Sequence, residues 1–157
     1  WYLVAITYEN IFFNFVIDPL RDLMQTEYPG MKVYVAPDID TKFNTSVSMR
    51  LWGTSAEKSE YVVDAHARVY NVGIALYMMQ MNPNETFYKK LYNDGERLHQ
   101  LIFENKTKST TVGSTTLQWS DASINDMVIN DLDEAESEVE GLHTIKLEFS
   151  CNITASV

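Results

Sequence analysis

The sequence has one cysteine, Cys151, six glycines and only 12 basic residues in a chain of 157. A single cysteine excludes an internal disulfide bond and a zinc site built from several thiolates. Glycines so few and so scattered leave no glycine-rich loop for holding a phosphate group. The 22 acidic residues bring the net charge to −10, which disfavours nonspecific binding to nucleic acid backbones.

Known catalytic and metal-binding spacings are also missing from the sequence. There is no HExxH and no GxSxG motif, and the three histidines, His66, His99 and His143, show no ligand spacing. His143 and Cys151 fall in one predicted strand, about 26 Å apart at the usual rise per residue, so they cannot form a catalytic pair. We interpret Cys151 as a small core residue. We therefore expect no catalytic residue, no metal and no cofactor.

No apolar run in the sequence reaches the length needed to cross a membrane. The apolar opening at residues 1–6 lacks the basic residues that precede the core of a signal peptide. Glu9, Asn14 and Asp18 then interrupt the apolar stretch. These features predict a protein that does not enter a membrane.

The clearest positive signal is a strict alternation over residues 141–157, which predicts a β-strand with one buried face. One face carries His143, Ile145, Leu147, Phe149 and Cys151, and the other carries Thr144, Lys146, Glu148 and Ser150.

Apolar residues at helical spacing predict two main helices. The first runs from Thr7 to Glu27, with Pro19 either kinking it or starting a new helix after Asp18. The second begins at the cap residue Asn84 and extends over residues 87–102.

Shorter alternating patterns predict the other strands, separated by polar turns. A long strand beginning at Tyr61 changes parity near Gly73, where we expect a β-bulge or a bend. It pairs with residues 47–52 across a polar turn at residues 53–59. The pattern as a whole predicts one α+β domain over residues 1–157, with an antiparallel sheet, a long hairpin and two flanking helices. The remaining predicted strands cover residues 31–36, 115–119 and 127–132, and residues 106–113 are predicted to form a polar loop.

Two features are candidates for a functional surface. The first is the acidic segment, residues 131–140, which lacks the glycine and the regular spacing of a calcium-binding loop. We interpret it as a solvated loop or as a surface meant to be negative. The second is a set of expected contacts to a neighbouring subunit or partner, Trp52, Arg50 and Trp119, because exposed aromatic residues are enriched at interfaces. The carboxylates of the acidic segment are Asp131, Asp133, Glu134, Glu136, Glu138 and Glu140.

The order of these elements resembles that of bacteriophage tail terminators, also called tail-completion or neck proteins. The resemblance covers nearly the whole chain and is a pattern of elements rather than one motif. It is carried by the first helix with Ile11, Leu20 and Leu23, the strand at residues 32–35, the hairpin around residues 50–52, the helix Phe87–Phe103, Trp119, the acidic segment and the closing residues 145–149.

The resemblance implies a structural virion protein without catalysis. Members of that family form hexameric rings that cap the tail tube, end its polymerisation and join it to the head. The implied partners are copies of the same chain, a tail tube or sheath protein, and a connector or stopper protein. Assembly would take place in the host cytoplasm. DNA would pass through the ring without specific binding, and the acidic segment would line the hole. We expect the terminal strand and the long hairpin to provide the sheet edges that join subunits.

Two alternatives remain open at this point. The first is a head-side stopper or connector component of the same neck. The second is a secreted binding domain or a small enzyme whose site forms only in three dimensions. The N-x-S/T triplets are the only support for secretion, and they begin at Asn44, Asn84, Asn105 and Asn152.

Overall fold

The computed structural model describes residues 6, 8–36, 47–62 and 65–156, and it contains a six-stranded sheet with helices on one face. The strands are β1 (Lys32–Val35), β2 (Val47–Val62), β3 (Ala65–Met79), β4 (Lys108–Val112), β5 (Thr115–Ile129) and β6 (Leu142–Ser156). The helices are a π-helical turn (Phe13–Ile17), α1 (Asp18–Glu27), α2 (Glu85–Phe103) and the short α3 (Glu134–Ser137).

The strands follow the order β1-β2-β3-β6-β5-β4. All neighbours pair antiparallel except β1 and β2, which are parallel. The predicted α+β class is therefore confirmed. Helices α1 and α2 pack on one face of the sheet, called the helix face below, whereas the short α3 lies on the other face.

Strand β6 lies in the centre of the sheet, between β3 and β5. Its predicted alternation is confirmed, because Ile145, Leu147 and Phe149 are buried in the main core on the helix face. The expectation that this strand provides a free edge is wrong. Both of its sides are occupied along most of its length, and the edge strands are the short β1 and β4.

In the hairpin of β2 and β3, the irregularities lie in β2, and β3 is more regular than the sequence predicts. The polar turn predicted at residues 53–59 is wrong, since β2 runs through it with irregularities between Gly53 and Ser55 and between Lys58 and Glu60. The bulge predicted at Gly73 is also wrong, because β3 keeps an unbroken register with β6. Residues 72–78 of β3 are buried on both faces, so the sequence shows apolar residues at both parities.

The second hairpin joins β4 and β5. The predicted loop at residues 106–113 is wrong at residues 108–112, which form β4. The strand predicted at residues 115–119 and residues 127–129 of the next predicted strand are parts of the single strand β5, and the strand predicted at residues 130–132 is wrong. Irregularities between Ser120 and Ser123 and between Ile124 and Asp126 interrupt its pattern of exposed and buried residues.

The N-terminal helix passes through Pro19 without a break. The predicted start at Thr7 lies outside the described residues, while the side chain of Asn10 accepts a 3.3 Å hydrogen bond from the backbone N–H of Phe13. The π-helical turn precedes α1, and Pro19 falls in the first turn of α1. The residue before it, Asp18, still donates its backbone N–H to the carbonyl of Phe13, so the chain stays helical up to a residue that has no N–H to donate.

Helix α2 has the cap and the buried side that the sequence predicts. The side chain of Asn84 accepts a 2.9 Å hydrogen bond from the backbone N–H of Phe87. Leu91, Leu98 and Ile102 are fully buried against the sheet. In the described ranges, neither α2 nor any other helix combines the length and the apolar character required to cross a lipid bilayer.

Candidate functional site

The sheet face that points away from α1 and α2, called the opposite face below, carries a notch between two basic side chains. In the strand register, Ala75 of β3 lies between Arg50 of β2 and Lys146 of β6. Because β3 lies between β2 and β6, the backbones of the two basic residues are two strand spacings apart, about 10 Å. The small side chain of Ala75 forms the floor of this notch, and Ala75 is completely buried.

The carboxylate of Glu136 enters the notch on the Lys146 side, next to Tyr77. Its Oε1 atom lies 2.7 Å from Nζ of Lys146, and the residue is only 1% exposed. A capping box on α3 fixes the side chain. Glu136 donates its backbone N–H to the Asp133 carboxylate at 2.7 Å, and Asp133 donates its own to Oε1 of Glu136 at 3.1 Å.

The acidic segment therefore does not face solvent uniformly. The expectation of a solvated loop is wrong for Glu136, since a charge can be buried when it gains an ion pair and hydrogen bonds. The Asp-x-x-Glu spacing of Asp133 and Glu136 is the sequence signal that could have indicated this geometry. The other candidates on the segment are exposed: Asp131, Asp133, Glu134, Glu138 and Glu140.

Both ends of the acidic segment are fixed to the sheet. At one end, the side chain of Asn130 accepts a 3.0 Å hydrogen bond from the backbone N–H of Thr144. At the other end, the carbonyl of Gly141 accepts a 2.8 Å hydrogen bond from Gln80. Asn130 and Gly141 have positive φ angles of 56° and 78°, so each marks a sharp change of chain direction.

Two apolar side chains hold the middle of the segment against the opposite face. Leu132 and Val139 pack on a small cluster formed by Ala75, Tyr77 and Leu142. Both are only partly buried. The segment is thus attached by a few contacts around Glu136.

The charges in the notch stabilise one another. Burial opposes ionisation of Glu136, yet the hydrogen bond from Lys146 holds the pKa of that carboxyl below its ordinary value. Burial raises the pKa of the Tyr77 hydroxyl, and the adjacent Glu136 raises it further, while Arg50 acts in the other direction. A neutral tyrosine next to an ionised glutamate is therefore the state at neutral pH.

Aromatic rings surround Arg50 and its neighbours. The guanidinium of Arg50 lies 5.1 Å from the centre of the Tyr34 ring, a cation–π distance. The indole of Trp52 lies on Gly73, where a Cβ atom would come within 2.6 Å of Cζ2. Arg50 is only 3% exposed and Trp52 is half-buried, so the structure brings both predicted contact residues to the same face as the acidic segment.

Trp119 lies apart from this face. It is only 1% exposed, its Nε1 donates a 2.9 Å hydrogen bond to the carbonyl of Asn105, and its ring meets Phe149 edge to face. The expectation that Trp119 is exposed is wrong. Trp119 has the same parity as Leu117 and lies opposite Ile153, and all three belong to the core side of the strand.

Outside the notch, the opposite face carries negative charge that has no ion-pair partner in the part of the chain that the structure describes. Asp126 and Glu148 lie directly opposite each other on β5 and β6, and both are exposed. Like charges in this arrangement destabilise a sheet. Repulsion between these two carboxylates therefore lowers the stability of the folded protein, and this part of the face is acidic despite that cost.

The sheet also leaves two strand stretches without a neighbour among the described residues. β1 pairs only with residues 48–51 of β2, and β4 pairs only with residues 115–119 of β5. With respect to the described residues, the outer side of β2 is thus open beyond residue 52. Because Ala122 still donates to Lys106, the outer side of β5 is likewise open to them over residues 123–129.

Other candidate chemistry is weak. A shallow pocket of about 300 Å³ lies between residues 8–12 and the hairpin, next to Ala56, Arg68 and Tyr70. Burial raises the pKa of the Cys151 thiol to about 12, in agreement with its predicted place in the core. Across the described ranges, no three His, Cys, Asp or Glu side chains are grouped in a way that could hold a metal ion.

Comparison with known proteins gives no further guide. The sequence matches no protein-family model. It also matches no curated protein. The opposite face and the open strand stretches are therefore the features of this chain that bear on its function.

Sequence reasoning missed Lys146, Tyr77 and Ala75 as parts of the notch. Lys146 was placed on the polar side of its strand, which is correct. Its partner Glu136 comes from a connection outside any strand, so no spacing rule links the two. Tyr77 and Ala75 read as ordinary apolar residues of β3.

Proposed function

We propose that this protein is a non-catalytic subunit of the neck of a tailed bacteriophage, acting as a tail terminator. Copies would join side by side into a closed ring that caps the tail tube, stops its growth and meets the head connector. The observation that carries the proposal is the pair of open strand stretches on different edges of one sheet.

Two different edges are what a ring requires. A ring of identical subunits uses heterologous contacts, in which one surface of a subunit binds another surface of the next. Residues 53–62 of β2 and residues 123–129 of β5 lie near opposite edges of the sheet. Exposed backbone groups on such stretches can pair with a strand of the neighbouring copy.

The two stretches also lie at opposite ends of the sheet. In the register, β1 sits beside the end that contains residues 127–129 of β5, and β4 sits beside the other end. Neighbours joined through the open stretches would therefore be displaced along the strands. Such an offset closes into a ring when the strands tilt relative to its axis, as they do in β-barrels.

Strand irregularities limit what can bind at these stretches. Both β2 and β5 carry irregularities within or next to their open parts. Bulges of this kind are a common protection of exposed edges against uncontrolled pairing. A specific neighbour with a matching shape remains possible, which suits ring assembly rather than aggregation.

The acidic opposite face suits the passage of DNA. Asp126, Glu148 and the exposed carboxylates of the acidic segment give this face an excess of negative charge. If the face lines the hole of the ring, phosphates are repelled and DNA slides without adhering.

The proposal is tested by native mass spectrometry of the purified chain, alone and mixed with tail tubes. We expect a closed ring, with six copies by resemblance to the family. Val128→Lys with Ile129→Lys, two exposed positions on the open part of β5, should abolish the ring because lysine on an edge opposes strand pairing. Tyr92→Lys, exposed on α2, is the matched control and should leave the ring intact.

A monomer under both conditions would contradict the proposal. So would a ring that survives the two lysine substitutions on β5. Folding of each variant is checked by circular dichroism, so that loss of the ring is not confused with loss of the fold.

A further inference from the structure

The notch on the opposite face is already filled by a carboxylate that belongs to the same chain. Glu136 reaches Lys146 from a connection between β5 and β6, and this connection turns sharply at Asn130 and Gly141. Because both ends are held by the sheet, the middle of the acidic segment can leave the face without disturbing a strand.

The closed position of the segment is only partly satisfied. Oε2 of Glu136 is buried and has no hydrogen-bond partner among the described residues. A buried acceptor without a partner carries a cost of desolvation. The exposed carboxylates of the segment repel one another as well, so closure depends on the ion pair with Lys146, on the hydrogen bond between Tyr77 and Glu136, and on the packing of Leu132 and Val139.

Opening the segment would expose a surface with a distinct chemistry. Lys146 and Tyr77 lie beside Ala75, and Leu142 adds an apolar contact. A carboxylate flanked by apolar side chains fits this surface, and that is what Leu132, Glu136 and Val139 present.

We propose that the opposite face is a docking surface for an acidic, partly apolar segment of a partner protein. The acidic segment of this chain is the exchangeable cover of that surface. The inference stands without the ring, since it concerns one face of a single copy.

A protein segment fits this surface better than a nucleic acid does. The neighbouring Asp126 and Glu148 repel a long phosphate backbone but leave room for a single short peptide. A duplex also has no apolar groups to place where Leu132 and Val139 pack. Charge and packing together favour the peptide.

The experiment uses the full chain and a fluorescent peptide with the sequence of residues 131–141. In Glu136→Ala the cover should open, so amide exchange at residues 132–139 should rise roughly tenfold or more. Peptide binding, followed by fluorescence anisotropy, should be roughly tenfold tighter than to the unaltered chain. Glu138→Ala removes an exposed carboxylate of the same segment and should change neither quantity.

A second peptide carrying Glu136→Gln distinguishes specific binding in the notch from nonspecific electrostatic attraction between the peptide and the protein. It should bind at least roughly tenfold more weakly to the opened chain, because it lacks the charge that pairs with Lys146. Should Glu136→Ala melt at the measuring temperature, Glu136→Gln in the full chain serves the same comparison, since it keeps the shape of the side chain.

Three results would overturn the proposal. One is unchanged amide exchange in both Glu136 variants when both are folded. Another is equal binding of the two peptides. The third is a DNA duplex that displaces the bound peptide at equal concentration, which would mark the face as a general anion surface.

Discussion

Trp52 rests directly on Gly73, and its indole ring fills the space where a side chain on Gly73 would project. The two residues are register partners on β2 and β3. Along β3 the side chains on the opposite face shrink from Tyr77 to Ala75 to Gly73, which gives the ring of Trp52 its place. Trp52 can take this position because Gly73, on the neighbouring strand β3, has no Cβ atom.

Gly73→Ala should lower the free energy of unfolding by about 1–3 kcal/mol, the usual cost of forcing an extra group into a packed site. Urea denaturation measures the change. In a Trp52→Ala background the same substitution should cost much less, since the overlapping ring is gone. Additive costs in this double-mutant cycle would argue against direct contact.

Glu136→Gln should destabilise the protein by about 1–3 kcal/mol, because Lys146 loses its charged partner in a buried setting. The side chain of Lys146 is 26% exposed, so partial hydration keeps the loss below that of a fully buried pair. Glu138→Gln is the control and should stay within about 0.5 kcal/mol of the unaltered protein. Thermal denaturation followed by circular dichroism distinguishes the two variants.

The contribution of Glu136 should depend on pH in the acid range. Its folded-state pKa is lowered, so its stabilising effect is present above the unfolded pKa of about 4.3 and is lost as pH falls through the folded pKa. Asp94, whose pKa burial raises, acts in the opposite sense, so only the difference between variants isolates Glu136. The gap in stability between the unaltered protein and Glu136→Gln should therefore shrink below about pH 4. A gap that widens toward acid would contradict the ion pair.

Trp119→Ala should cost about 3–5 kcal/mol, as expected for removing a large core side chain. If Trp119 were instead an exposed contact residue, the same substitution would change the free energy of unfolding little and would weaken assembly. Trp119→Phe should keep more of the stability, since it retains a ring against Phe149 and loses mainly the hydrogen bond to Asn105. Urea denaturation of the two variants decides whether Trp119 acts as a core residue.

The exposed carboxylates of the acidic segment should keep DNA away. Replacing Glu134, Glu138 and Glu140 together with lysine reverses the local charge, so weak and strongly salt-dependent DNA binding should appear. Mobility-shift assays at low and high salt measure it. The unaltered protein should bind no DNA in the same buffer, and equal behaviour of the two would remove the role of these charges.

Elements with one buried side and one solvent-exposed side are predicted well from the sequence. β6 and α2 have such patterns, and both were located to within a few residues. β3 is buried on both faces along residues 72–78, so its parity is ambiguous and suggested a bulge that does not exist. β2 and β5 contain irregularities of their own, and each was interpreted as shorter pieces.

The candidate site could be predicted only in part. The acidic segment, Arg50 and Trp52 were recognised separately from composition and exposure. Their meeting on one face depends on the strand order, in which β6 stands beside β3. Pairing between strands so distant in sequence has no local signal, so the partnership of Glu136 with Lys146 could not be inferred from spacing.

The central position of β6 has a consequence for how the protein folds. The hairpins β2–β3 and β4–β5 each join residues close in sequence, so each can form early. Neither can complete the sheet until β6, which follows them in the chain, inserts between them. During synthesis β3 and β5 emerge before β6, the strand with which each of them pairs on its inner side, so we expect the sheet to be completed only after β6 has emerged.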